Sequence, residues 1–337
     1  MDIGGKFFPV GHGLTYAFKI NNVSGAKDLH VLYDIRKACD MKELEKFYGN
    51  KIIDFLILSH LHTDHIDGVG KLCNAGFRVK KIYIPYLNND EKIFVELKWR
   101  FRTGVYRSYN EIINQIRSIL ENIEVIEVDE WEREYASITI EGKLWEFNIF
   151  QNKGNSASVV NDIRMRLQSM RIYGNHIQYM LRKKERVTQI RDAYNESMRK
   201  YNSNLNETSI FLEHGPLTDK IKVTDITGYG FFMGKFEREG GIRTHSLITG
   251  DMNLNEVNNK GIISNFYNKL GVVLVPHHSG VREWSTCVCQ NIKPAAWVVT
   301  ISGIGIRPYG KVVKDVYNSG HSLYICDNKY SFEYSYG

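Results

Sequence analysis

The chain of 337 residues is 43% hydrophobic and 12% aromatic, enough to bury a sizeable core, which excludes a disordered or fibrous protein. Its formal charge of +6 is a mild basic excess that suits an anionic partner without requiring one. No run approaches the ~20 apolar residues that span a bilayer, the opening MDIGGK has no signal-like basic and apolar region, and an odd count of 5 cysteines without CxxC spacing argues against a closed disulfide framework. The expectation is a cytoplasmic protein with reduced, mostly core thiols and no membrane partner.

Residues 6–20 read as strand, glycine turn and strand, with Phe7, Phe8 and Val10 before Gly11-His12-Gly13 and Tyr16 to Ile20 after it. His30 to Asp34 is the next strand. Its terminal Asp34 is either a turn former or, as the preferred reading, a hydrogen-bond anchor for the histidine-rich loop of residues 59–68. A short helix over Ala38–Tyr48 leads to Ile52–Leu58, a brief β-branched and aromatic run that reads as a buried strand. That strand opens into Ser59-His60-Leu61-His62-Thr63-Asp64-His65-Ile66-Asp67-Gly68. Three histidines and Asp64 at the end of a core strand offer four metal-binding side chains on one rigid support. Imidazole and carboxylate suit zinc, and less well manganese or iron, whereas leaving such groups unpaired beside a core strand would be costly.

A helix to about Asn74 and a strand over Val79–Pro85 follow. Next comes an amphipathic helix over Tyr109–Leu120 with Ile112, Ile113, Ile116, Ile119 and Leu120 on one face. Strands are expected at Ile123–Val128 and Leu144–Phe150. Residues 161–200 differ in character: helix-forming and basic, with Arg164, Arg166, Arg171, Arg182, Lys183, Lys184, Arg186, Arg191, Arg199 and Lys200. They read as a helical insertion over 155–203 within a single domain of 1–337. Its charge is either an ordinary solvated face or a grip on polyanions through phosphate contacts.

Strands resume at Thr208–Glu213, Phe231–Met233 and Thr244–Leu247, the last leading into Ile248-Thr249-Gly250-Asp251. A second apolar run, Val272–Pro276, delivers His277-His278-Ser279-Gly280. Ala296–Ser302, a helix over Lys311–Asn318 and a final strand over Ser322–Cys326 complete the pattern. Strands dominate both halves and helices punctuate them, which predicts an α/β fold of two packed sheets with helices outside. Three strand ends thus carry ligand-type residues: His60, His62, Asp64 and His65; Asp251; and His277-His278. Two metals about 3.5–4 Å apart need a shared oxygen ligand, and Asp251 is the natural bridge.

The series His60-x-His62-x-Asp64-His65, Thr249-Gly250-Asp251 and His277-His278 resembles, in order and context, the metallo-β-lactamase superfamily of metallohydrolases, over nearly the whole chain apart from the basic insertion. More narrowly, Val10-Gly11-His12-Gly13, Asn206-x-x-Ser209, His277-His278-Ser279-Gly280 and the Tyr309-Gly310 helix resemble the soluble hydrolase domain of bacterial competence (DNA-uptake) proteins, regarded as a nuclease. The resemblance implies a four-layer αββα sandwich in which Asp34 orients the metal loop. It implies two divalent ions, zinc before manganese. One would be held by His60, His62 and Asp251, the other by Asp64, His65, Asp251 and one of His277 and His278, with His278 preferred as ligand and His277 as phosphate contact. There are departures. Ser203-Asn204-Leu205-Asn206 stand where many members place a further histidine, and His214 falls too late in its strand to replace it. Arg307 of Ile306-Arg307-Pro308 stands where the competence-type group has a histidine, offering a phosphate clamp in place of an acid. Pro9 stands where that group has an acid.

The implied activity is that of a metal-dependent phosphodiesterase or nuclease, in which a water bridging two ions is acidified and attacks phosphorus. Asp64 would take or orient its proton, and His277 and Arg307 would bind the non-bridging oxygens. The alternatives are a small phosphodiester such as a cyclic nucleotide or phosphocholine-like ester, an acyl substrate, or a non-catalytic module that docks a protein partner through 161–200.

Overall fold

The structure, a computed structural model, describes all residues except 12, 26, 122, 139–141, 152–155, 184–185, 202–208, 219, 233–242, 256–263, 265–266 and 302–308. In chain order the strands are β1 (Asp2–Phe7), β2 (Tyr16–Asn21), β3 (Leu29–Tyr33), β4 (Ile52–Ile57), β5 (Arg78–Pro85), β6 (Glu124–Val128), β7 (Trp131–Ile138), β8 (Gly142–Gln151), β9 (Ile210–Pro216), β10 (Val223–Phe232), β11 (His245–Ile248), β12 (Leu270–Leu274), β13 (Ala296–Thr300), β14 (Leu323–Cys326) and β15 (Phe332–Tyr336). The helices are α1 (Met41–Tyr48), α2 (Thr63–Ile66), α3 (Val69–Asn74), α4 (Asn89–Thr103), α5 (Tyr109–Ile119), α6 (Ser156–Ser169), α7 (Gly174–Lys183), α8 (Val187–Lys200), α9 (Thr286–Asn291) and α10 (Tyr309–Asn318).

One sheet has the spatial order β6-β5-β4-β3-β2-β1-β15 and the other β14-β13-β12-β11-β9-β8-β7. Strand β10 belongs to both: Val223–Gly228 pair with β15, and Tyr229–Phe232 with β14. The centres of both sheets are parallel, β3 to β6 in the first and β11 to β14 in the second. Parallel strands are covered on both faces, which is why β4 and β12 read as continuous apolar runs instead of alternating.

The inner faces meet in a core of Phe7, Tyr16, Phe18 and Phe55 against Trp145, Phe147, Leu212, Val272 and Val298. Outside the first sheet, Leu44, Leu72, Ile112 and Ile116 of α1, α3 and α5 pack on Leu32, Ile53 and Leu56. Outside the second, Val288, Val312 and Val316 of α9 and α10 pack on Val273, Val299 and Ile325. The result is the expected four-layer αββα sandwich. Helices α6 to α8 pack with α4 around a core of their own, which includes Phe94, Leu97, Ile163, Leu167, Leu181 and Ile190.

Four elements differ from expectation. The first strand ends at Phe7, so Phe8 and Val10 lie beyond it. Strand β7, with Glu132, Arg133 and Glu134 near its start, and β15, beyond the strand expected to be last, are both additional. In β15, which lies between β1 and β10, Phe332, Tyr334 and Tyr336 are buried and alternate with more exposed polar residues instead of forming an apolar run. Helix α4 fills a stretch left unassigned. Asn88 and Glu91 form a reciprocal capping box at its start, and Gly104, at φ 72°, closes its end.

Candidate metal centre

The loop after β4 is held by the backbone before any metal is considered. Asp34, itself left-handed at φ 53°, donates its N–H to the Ile57 carbonyl (2.8 Å), and Ile35 N–H donates to the His65 carbonyl (2.9 Å). The Asp34 carboxylate accepts from Ser59 N–H (2.7 Å) and from Ser59 Oγ (2.7 Å), and lies 2.6 Å from His65 Nδ1. Gly68 is required by close approach, since a Cβ there would stand 2.7 Å from the Arg36 carbonyl. Burial pushes the Asp34 carboxyl upward while His65 and Ser59 pull it down. As the acceptor facing Nδ1, Asp34 fixes the His65 tautomer that leaves Nε2 with its lone pair toward the site.

Asp251 is delivered by a second strand end. Gly250 before it has φ +55°, and a Cβ there would lie 2.6 Å from the Tyr33 hydroxyl, so the turn requires glycine. The Tyr33 hydroxyl donates to the Ile210 carbonyl (2.6 Å), tying this end to the first sheet. Beyond β12, His277 (φ 48°), His278 (φ 51°) and Ser279 (φ 68°) are successive left-handed residues, a conformation that costs roughly 1–2 kcal/mol for each non-glycine residue. The fold holds them in place. His277 N–H donates to the Gly250 carbonyl (3.0 Å), His278 Nδ1 is 3.0 Å from Thr300 Oγ1, and His277 Nδ1 is 2.8 Å from Glu283 Oε1.

These supports converge on Asp251. Its Oδ1 lies 3.8 Å from His65 Nε2 and 3.9 Å from His278 Nε2, and its Oδ2 lies 3.8 Å from His60 Nε2 and 3.6 Å from His277 Nε2. Ligand atoms of His60, His65 and Asp251 all fall within 4.8 Å of one another, and all three residues are buried. Bonds of about 2.0–2.2 Å in a tetrahedron imply ligand separations near 3.3–3.6 Å, so the cluster is close to the dimensions of a zinc site. The Nε2 atoms of His60 and His65 are buried without a hydrogen-bond partner among the described residues, which is costly unless a cation faces them. The donor set therefore fits a divalent metal.

The remaining loop ligands point elsewhere. His62 Nδ1 lies 3.1 Å from Lys98 Nζ, and Asp64 Oδ1 accepts from Arg102 Nη1. Both cations come from α4 and escaped sequence reasoning, although the Asn88–Glu91 capping box would have revealed the helix. Burial and the nearby Arg102 lower the Lys98 ammonium to about 7. Burial raises the Asp64 carboxyl, but His65 and Arg102 outweigh it and hold it well below the usual carboxylate range. Burial pushes the protonated forms of His60 and His62 down, leaving both neutral. Ser59 Oγ lies 3.0 Å from His60 Nδ1, and Ser209 Oγ lies 3.4 Å from it.

Of the anticipated residues, His60, His65, Asp251, His277 and His278 converge with Asp34 behind them, while His62 and Asp64 turn toward α4. Arg307 and Asn206 lie outside the described residues. His214 is a core histidine between the sheets: Trp145 Nε1 donates to its Nδ1 (3.2 Å), and its Nε2 lies 2.8 Å from the Tyr16 hydroxyl. Glu283 and Thr300, which hold His277 and His278, were not apparent from sequence.

Residues 32–164, from β3 through the metal loop and into α6, match the family model of the metallo-beta-lactamase superfamily. Together with the sandwich and the buried cluster, the match supports that superfamily, a metal-dependent hydrolase and a divalent metal cofactor. No curated protein matches the chain.

Proposed function

We propose that this protein is a metal-dependent phosphodiesterase acting on nucleic acid. The observation that carries the reading is the buried His60, His65 and Asp251 cluster flanked by Lys98 and Arg102, which joins metal-ligand chemistry to positive charge suited to an anionic substrate. A divalent ion held there, zinc before manganese, supplies Lewis acidity and a water acidified toward neutrality. The protein's own groups do the rest. Asp34 orients His65, Asp64 takes or directs the proton of the attacking water, and His277 and Arg307 contact the non-bridging oxygens. The chain acts as one domain of 1–337 with 155–203 inserted in it, and the basic insertion contributes phosphate contacts.

A small phosphodiester is the second reading, favoured because several insertion cations are engaged internally: Arg164 with Asp90, Arg166 with Asp162 and Glu196, and Lys200 with Asp162. Exposed Met165, Met170, Tyr173 and Tyr179 on and between α6 and α7 favour a further role of 161–200 in docking a protein.

The test is incubation of the purified protein and Zn²⁺ or Mn²⁺ with linear, circular and single-stranded DNA, RNA and bis-p-nitrophenyl phosphate, beside His60→Ala and Asp64→Ala. Polymer cleavage lost in both variants is expected. Cleavage of the chromogenic diester alone would sink the nucleic-acid reading, and full activity in both variants would sink the site. Binding that weakens steeply with salt marks a polyanion, because only a polyanion releases many counterions.

A further inference from the structure

Helices α4, α6 and α7 do not close completely on one another. Between them lies a pocket of about 310 Å³ whose walls include Phe94 and Leu97 of α4, Val160, Ile163 and Leu167 of α6 and Ile177 of α7. All six side chains belong to the buried core of these helices. The polar residues that line it are more open to solvent. Tyr173 is 53% exposed, Gln168 is exposed, and Asp90 of α4 forms an ion pair with Arg164 of α6, their side chains 40% and 51% exposed. The pocket thus has an apolar floor and a polar rim. Phe94 also lines the narrow cleft beside His60 and His62, so the pocket and the metal loop share a wall.

Protein interiors pack densely and keep few voids larger than a water molecule, and the lining of an unfilled void forfeits dispersion contacts. This pocket is many times the ~30 Å³ share of one water, and its floor offers water no polar partner. Its size and its apolar lining with a few polar groups at one edge are those of small-molecule pockets, which start at about 300 Å³. The rim also selects by charge. Asp90 and Arg164 answer each other, so an ion carried past them to the floor would lose its hydration with no counter-charge to meet it. We infer that this pocket binds a compact, uncharged and mainly apolar small molecule, whose polar end stays at Gln168 and Tyr173 on the rim. The exposed Met165, Met170 and Tyr179 lie outside its lining and form a separate surface. The helical insertion then has a role apart from any contact with nucleic acid, because it builds this receptacle together with α4.

The inference does not depend on the hydrolase reading, and its test needs no turnover. Full-length protein is titrated with the uncharged dye phenylnaphthylamine, whose fluorescence rises in apolar surroundings, and in parallel with its anionic relative anilinonaphthalene sulfonate. Saturable binding of one neutral dye per chain is expected, with the sulfonate held less tightly. Val160→Phe fills the pocket and is expected to weaken the neutral dye by about tenfold or more, with urea unfolding confirming a folded protein. Arg164→Trp covers the mouth from the exposed rim without entering the core, and the same loss is expected. Met165→Ala and Tyr179→Ala should bind as the wild type does. No saturable binding would overturn the site, as would wild-type affinity in folded Val160→Phe, or in Arg164→Trp if Val160→Phe does not fold. Dye binding lost in Met165→Ala or Tyr179→Ala would move the dye to the exposed surface suited to a protein partner, and would overturn the site as well. Sulfonate bound as tightly as the neutral dye, or more tightly, would overturn the uncharged class of ligand.

Discussion

Asp34→Asn tests whether the carboxylate behind the loop sets the metal affinity of a residue it only touches from the rear. The change is nearly isosteric, and one oxygen can still accept from Ser59 N–H as at 2.7 Å now. The other becomes an NH2 group where Ser59 Oγ (2.7 Å) and His65 Nδ1 (2.6 Å) now find an acceptor. Donor then faces donor. His65 escapes by moving its proton to Nε2, which surrenders the lone pair turned toward Asp251. If it does not move, a buried donor is left unsatisfied at roughly 1–3 kcal/mol. At ~1.4 kcal/mol per decade either route weakens the metal about tenfold to a hundredfold, the range expected when the partner of a ligating histidine is changed. The assay is competition for Zn²⁺ against a chromophoric chelator at neutral pH, with urea unfolding of the apo protein in parallel. Wild-type zinc affinity together with wild-type apo stability would refute the tautomer argument.

Gly250→Ala places a Cβ 2.6 Å from the Tyr33 hydroxyl at φ +55° and is expected to cost roughly 1–3 kcal/mol, read as a lower urea midpoint. An unchanged midpoint would mean that the turn needs no glycine. Glu283→Ala removes the partner of His277 Nδ1 and is expected to cut turnover of bis-p-nitrophenyl phosphate about tenfold to a hundredfold with zinc content unchanged; equal turnover would dismiss Glu283 from the site. Burial raises the Glu213 carboxyl from 4.5 to about 8, so the folded protein keeps a proton that the unfolded chain releases. That contribution is whole below pH 4.5 and is lost as pH climbs toward about 8. Glu213→Gln should therefore gain on the wild type across that window in urea unfolding, and a gap that does not change with pH would contradict the assignment.

The metal loop was legible because its ligands are contiguous and follow an apolar strand covered on both faces. Asp251 and His277-His278 were legible for the same reason, each ending an apolar run. His214 shows where composition misleads: the same side chain is a core hydrogen-bonding group once Trp145 and Tyr16 close on it. Strand β15 has no apolar run to mark it, because its apolar residues alternate, and of β10 only Phe231 and Phe232 were expected as strand, because Gly228 and Gly230 interrupt the run before them. Lys98 and Arg102 could not be read as site residues at all. Their face of α4 meets the loop only because Phe94 and Leu97 are anchored on helices far later in the chain, a long-range condition that local pattern does not carry. Glu283 and Thr300 are of the same kind, recognisable only once His277 and His278 are placed beside them.

Strand β10 has a consequence for how the protein handles its ion. His60 and His65 hang from one sheet, and Asp251, His277 and His278 from the other, yet one continuous strand is shared by both ladders. Spreading the two groups of ligands apart would tear that shared backbone pairing, so the distance between them is set by the polypeptide and not by the cation. A centre built this way need not be assembled by its metal, and little of the binding free energy is spent on ordering the ligands. The ion can leave and be replaced as an exchangeable part, while the receptacle it returns to keeps its shape.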